Sequence, residues 1–417
     1  MSRTFVLFGA FAALLATAAA CSRMQSFELC GRIDGLQVGD TLRFERVLLP
    51  EWNYEPAFDV VIEEQDLFRY RGEQEHDCWY LMTYHPKVGK AVESDRRGKS
   101  VIITAGDRIT LTGAADEIYY CTLGGGIYDE SALCELLSVE DSLGRVRSGY
   151  VINAHAAFER GDKAEGRKWE EQFNRFYAGN PGVARKRALE ESYREAYPQG
   201  TLYLLVKRIP SIAYRPLAES RAFYDALSEE LKTSYFGGVY ADYLERMERL
   251  SVGRPAPDFS LVTTDGETIT NADFAGAYLL FYHWGMCPGS IGIDAQVCDL
   301  YASYKDRGLR MVGLTESIDA IRDVYEGLPA DEKIPSAGGV KDMRSVLAGM
   351  LVHGWPEVEV ETGRPENGRI LADYAIEGWP TFVLIAPDGT IAARGFAEAF
   401  FRAKKILDDA LGAADPE

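Results

Sequence analysis

Residues 277–284 read Ala-Tyr-Leu-Leu-Phe-Tyr-His-Trp, a nearly unbroken apolar run, and Cys287-Pro288 follows three residues later. A short apolar run without period-2 alternation fits a strand buried on both faces, which requires a sheet with helices on each side. Proline is well tolerated in the first turn of a helix, where its missing N–H has no partner to lose. The order strand, cysteine, proline, helix therefore sets a thiol at the carboxyl end of a buried strand and at the mouth of a helix.

The sequence around this run alternates in the same way. Val252-Gly253-Arg254-Pro255-Ala256-Pro257 stops a preceding helix and forces an extended lead-in. Strands are expected at 259–262, 268–270 and 309–315, and helices at 288–307, 318–325 and 341–351. A last hairpin, 381–386 with 390–394, turns on Pro387-Asp388-Gly389, and a helix at 397–411 closes the chain. This is an α/β domain over 251–417.

Upstream, residues 26–120 alternate apolar and polar in short runs between Gly and Asp turns, which predicts a small all-β domain, a sandwich or barrel. From 148 to 250 the period is helical, with helices expected at 154–178, 181–196, 217–231 and 238–250 and a break at Pro198-Gln199-Gly200. The expected division is a leader at 1–20, a β-rich domain at 21–147, a helical connecting region at 148–250 and the α/β domain at 251–417.

Apolar residues make up 47% of the 417, so the chain folds rather than staying disordered. Its formal charge of −19 argues against nucleic acid as a partner. The first twenty residues carry Arg3, an apolar stretch from Phe5 to Leu15 and Ala18-Ala19-Ala20 before Cys21. That is an export signal, too short for a membrane span. Cys21 is expected to carry a lipid that anchors the chain to a membrane; the alternative is ordinary secretory cleavage after Ala20. Cys30 with Cys78 and Cys121 with Cys134 allow disulfides in an exported protein, and unpaired thiols are equally compatible with the spacing. His76 and His85 stand alone, without metal-ligand spacing, and no cofactor is implied.

A thiolate is the reactive form of cysteine, and a helix N-terminus favours it through unpaired N–H groups and the helix dipole. Cys287 is therefore the candidate nucleophile, as the N-cap of the helix. A dithiol site would carry a second cysteine three positions on, where this chain has Ser290. Cys298 lies roughly 16 Å further along a continuous helix, beyond disulfide reach. Gly378-Trp379-Pro380-Thr381 opens a strand with a proline after an aromatic, a candidate cis-proline. His283 and Glu316 are further candidates for the surroundings.

These motifs, in this order, resemble the TlpA/ResA class within the wider AhpC/TSA-thioredoxin superfamily. The matching residues are Val252 to Phe259, the apolar strand into Cys287-Pro288, Gly378 to Thr381, and Ala386-Pro387-Asp388-Gly389. The upstream region is similar to the N-terminal domain often fused to such domains in bacterial envelope lipoproteins. The resemblance implies a thioredoxin-like fold, a groove at Trp379-Pro380 that takes an extended peptide, and protein thiol or disulfide substrates in the envelope. The chain departs from the family at Met286, where the family usually has Trp, at Ser290, and at Ile293, which stands where many relatives have an acid beside Asp294. Three functions remain open: a monothiol oxidoreductase in which Cys287 forms a mixed disulfide that an external thiol resolves, a binding protein on a catalytically degenerate scaffold, and a structural lipoprotein whose cysteines only staple the N-terminal domain.

Overall fold

The computed structural model describes residues 24–50, 52–89, 92–328, 333–336, 339–360 and 367–412. The expected leader and its cysteine, Cys21, lie outside the described residues. The chain divides into two compact units, one of residues 1–46 and 56–189 and the other of residues 47–55 and 190–417.

Two four-stranded sheets supply most of the strands of the first unit. One has the order Leu67–Gln74, Gln25–Asp34, Arg108–Ala114, Thr122–Gly124, and the other Asn53–Val61, Thr41–Leu48, Cys78–His85, Lys99–Ile103. Alternating side chains of both sheets meet in an aromatic core. Phe58 stacks on Tyr70 at 4.4 Å and on Phe44 at 4.7 Å, and its edge meets Tyr80. Offset and edge-on ring pairs of this kind add to the area they bury. The strand Leu67–Gln74 escapes sequence reading because Arg69, Arg71 and Glu73 dominate it. It is an edge strand, and Arg69 and Arg71 both pair with Glu28 of its neighbour.

Helical structure starts earlier than its periodicity predicts, with Ser131–Glu159. Asp141 on this helix receives Lys99 Nζ at 2.8 Å and an Arg96 nitrogen at 2.6 Å, tying it to the sandwich. The single helix expected over 154–178 is interrupted. Gly161, at φ 79°, ends the first helix in a left-handed turn, and Asp162 caps the next, Lys163–Arg175, by accepting the Glu165 N–H. The six described cysteines are free thiols, so neither the 30/78 nor the 121/134 pair is a disulfide in this structure. Burial pushes the Cys121 thiol up to about 11.

The second unit holds a five-stranded sheet in the order Glu357–Glu359, Leu309–Thr315, Tyr278–His283, Thr381–Ile385, Ile391–Gly395. The first three run parallel; Thr381–Ile385 is antiparallel to the central strand, and Ile391–Gly395 is antiparallel to Thr381–Ile385. Tyr278–His283 is buried throughout apart from Tyr278, as its composition predicts. Its side chains alternate between two cores. Leu280 and Tyr282, continued by Trp284, face the helices Pro288–Tyr304 and Ala397–Leu411 through Val297, Leu300, Phe400 and Leu407. Phe281 points the other way, into the rings of Phe259 and Tyr374 at 5.1 and 5.4 Å. The helices Leu202–Arg208, Leu217–Ala226 and Tyr235–Arg249 belong to the same unit. Tyr214 stacks on Phe396 at 4.6 Å, and the Tyr243 hydroxyl donates to Glu377.

Candidate active site around Cys287

Pro288–Tyr304 begins where the sequence predicts, with Cys287 as its N-cap in extended backbone (φ −90°, ψ 154°) and Pro288 in the first turn. The Ser290 N–H donates to the Cys287 sulfur at 3.3 Å. A first-turn N–H that would otherwise lack a partner is therefore spent on sulfur. The Cys287 thiol has two acceptors within reach, Ser290 Oγ at 3.4 Å and the Trp379 carbonyl at 3.6 Å. Ser290 is fully buried, and its Oγ also accepts the Gly285 N–H at 3.3 Å. The serine thus ties the loop before the cysteine to the helix after it.

The Trp379-Pro380 peptide is cis, as expected from its place before the strand Thr381–Ile385. Structure brings this loop against the cysteine at two glycines. A Cβ on Gly285 would stand 2.9 Å from the Trp379 ring, and one on Gly289 would stand 2.8 Å from Pro380 Cδ. Glycine at both positions lets the loop, the cysteine and the helix start share one small volume.

His283, the last residue of the central strand, holds Trp379. The indole Nε1–H donates to His283 Nε2 at 3.0 Å, which makes Nε2 the acceptor and leaves Nδ1–H facing the Gly378 carbonyl at 3.2 Å. Thr381 Oγ1 donates to the same carbonyl at 2.6 Å. His283 is 2% exposed, and burial drives its imidazole down to about 4, so it is neutral at physiological pH. His283, Trp379, Glu316, Glu377 and Arg246 line an open cleft of about 680 Å³ beside the cis-proline loop. Of the residues singled out from sequence, Cys287, Ser290, Trp379, Pro380 and His283 come together, and Glu316 lines the same cleft as His283 and Trp379.

Sequence reading missed what stands behind the cysteine loop. Trp284 is fully buried, and its indole N–H donates to Glu357 at 3.0 Å. Glu357 also faces His353 Nδ1 at 2.7 Å, and His353 Nε2 faces Asp294 at 3.1 Å. Cys298 packs beside Asp294 at 3.9 Å, against the core as expected. The only early signal was the polar composition of Asp294, His353 and Glu357 within otherwise apolar surroundings. Nothing in their spacing links residues so far apart in the chain.

Residues 252–326 match the AhpC/TSA family model. The thiol-disulfide oxidoreductase ResA of Bacillus cereus is 27% identical over 156 residues, which is 37% of this chain and 74% of that protein. ResA of Bacillus thuringiensis matches over the same length with the same identity. Among solved structures, a thiol-disulfide oxidoreductase from Bacteroides fragilis is 26% identical, with a TM-score of 0.27, over 37% of this chain and 99% of that one. The thioredoxin domain of a thiol-disulfide oxidoreductase from Bacteroides vulgatus is 18% identical, with a TM-score of 0.27, over 38% and 97%.

Proposed function

We propose that this chain, whose C-terminal region resembles a TlpA/ResA-like domain of the thioredoxin family, is a monothiol member of the thiol-disulfide oxidoreductases, acting through Cys287. The Cys287 thiolate attacks one sulfur of a substrate disulfide. The Cys287–substrate S–S bond forms as the substrate S–S bond breaks, and the other substrate sulfur leaves as a thiolate. An external thiol, as thiolate, then attacks the substrate sulfur of the mixed disulfide, which releases Cys287 as a thiolate and completes the exchange. Ser290 cannot perform the resolving step, because its hydroxyl forms no disulfide.

The observation that carries this reading is the placement of Cys287. Its sulfur accepts a helix N-terminal N–H and lies 3.6 Å from the carbonyl of the cis-proline loop, and the residue is partly exposed. In this reading Trp379 and Pro380 line the groove that receives the substrate peptide, and the substrate is a protein thiol or disulfide. The leader at 1–20 directs export to the cell envelope, and Cys21 carries the lipid anchor. No cofactor takes part in the exchange.

The second reading is a binding protein that holds an envelope peptide in the same groove without turnover. Ser290 favours it, because a fully buried hydroxyl now fills the place a resolving thiol needs. Trapping separates the two. Cells producing the full chain, alkylated during lysis, should yield a mixed disulfide through Cys287 that is missing from Cys287→Ala. Partner binding that is equal in both chains, with no such disulfide, would support the binding protein instead.

A further inference from the structure

On the helix face of the sheet, three metal-ligating side chains from distant parts of the C-terminal domain converge. Asp294 and Cys298 stand one turn apart on the helix Pro288–Tyr304, and His353 comes from the segment after the helix Met343–Met350. One ligand atom from each lies within 4.8 Å of the others. Asp294 Oδ1 is 3.1 Å from His353 Nε2, and Asp294 Oδ2 is 3.9 Å from Cys298 Sγ. We propose that Asp294, Cys298 and His353 form a zinc site, with Glu357 as the outer partner that orients the imidazole.

The donor set is the first support. Nitrogen, thiolate sulfur and carboxylate oxygen suit zinc, and three protein ligands leave a fourth tetrahedral position for water. The second support is the outer sphere. A zinc-ligating histidine characteristically gives its other ring N–H to a carboxylate, which fixes the tautomer and raises ligand basicity. Glu357 Oε1 stands 2.7 Å from His353 Nδ1, and Glu357 is held in turn by the Trp284 indole at 3.0 Å. The third is access. The His353 side chain is fully buried and Asp294 is 5% exposed, whereas Cys298 is partly open and provides an entry side.

Zinc would take the thiolate of Cys298 and the unprotonated Nε2 of His353, so its uptake displaces the protons these ligands carry and oxidises or reduces nothing. The cluster makes no use of the Cys287 sulfur, so the proposal stands or falls apart from the monothiol reading.

The test is metal uptake by the purified full chain, using zinc for stoichiometry and cobalt(II) as the spectroscopic probe. The natural chain and Cys287→Ala should take up the same number of equivalents. Cys298→Ser should take up one fewer and lose the thiolate-to-cobalt charge-transfer absorption, and His353→Gln should do likewise. Glu357→Gln should bind about 10–100-fold more weakly, the usual cost of losing such an outer partner. Uptake by Cys298→Ser equal to that of the natural chain would overturn the proposal, as would the absence of uptake at micromolar ion. Serine at the partly open position 298 removes only a thiol, so this arm holds even if His353→Gln does not fold.

Discussion

Ser290 Oγ stands 3.4 Å from the sulfur of Cys287, closer than the Trp379 carbonyl on the facing loop. In the proposed monothiol reading the hydroxyl stands in for a resolving thiol, and it can hydrogen-bond sulfur without competing as a nucleophile.

Restoring the missing thiol should therefore restore the cycle. Ser290→Cys is expected to form a disulfide between Cys287 and the introduced thiol on mild oxidation, and to reduce a protein disulfide with dithiothreitol as the electron source. The natural chain should form no such internal bond and, with dithiothreitol as the external thiol that resolves each mixed disulfide, should turn over more slowly. Insulin turbidity and intact mass measure both. A Ser290→Cys chain that stays as two free thiols under oxidation would mean the helix start cannot accommodate the bond.

The close approach at Gly289 should be sensitive to a single methyl group. A Cβ there would lie 2.8 Å from Pro380 Cδ, a contact too short to persist, and the proline ring is fixed to the backbone. Gly289→Ala should cost about 1–3 kcal/mol, the usual range for overpacking. It should also slow modification of Cys287 by a bulky disulfide more than by a small one, since the loop moves rather than the sulfur. Denaturant unfolding and paired rate measurements read the two effects.

His283 gives a pH dependence with a definite sign. Its folded imidazole titrates near 4, below the ordinary value of 6.5, so the unfolded chain binds the extra proton first. Its contribution to stability is complete above about pH 6.5 and is lost as the pH falls from there towards 4. Protonation would also take the Nε2 acceptor away from the Trp379 indole. His283→Gln should flatten this limb of the stability curve, and Trp379 fluorescence, isolated by subtracting a Trp379→Phe chain, should change over the same window.

The proximity of Cys287, Ser290, Trp379 and Pro380 was legible in the sequence because its signals are local: an apolar strand, a helix-opening proline and a strand-opening proline each act within a few residues. His283 was placed near the site, but its hold on Trp379 spans 96 residues and has no local signature. The Asp294–His353–Glu357 cluster is invisible for the same reason, since the helix, the loop and the strand meet only in the folded sheet. In the first unit, the helix Ser131–Glu159 was expected to begin later because Gly144 and several serines dilute its apolar stripe, and Gly161 then ends it within a stretch that reads as continuous. Where charge dominates an edge strand, as in Leu67–Gln74, pattern gives way to pairing that only the sheet reveals.

The most direct test is an intact-mass time course of the purified full chain with glutathione disulfide, followed by excess reduced glutathione. The monothiol reading expects one glutathione on Cys287, complete release on adding the thiol, and no such adduct at this position in Cys287→Ala. A Cys287 that stays unmodified while the other exposed thiols react, or an adduct that external thiol fails to release, would contradict it.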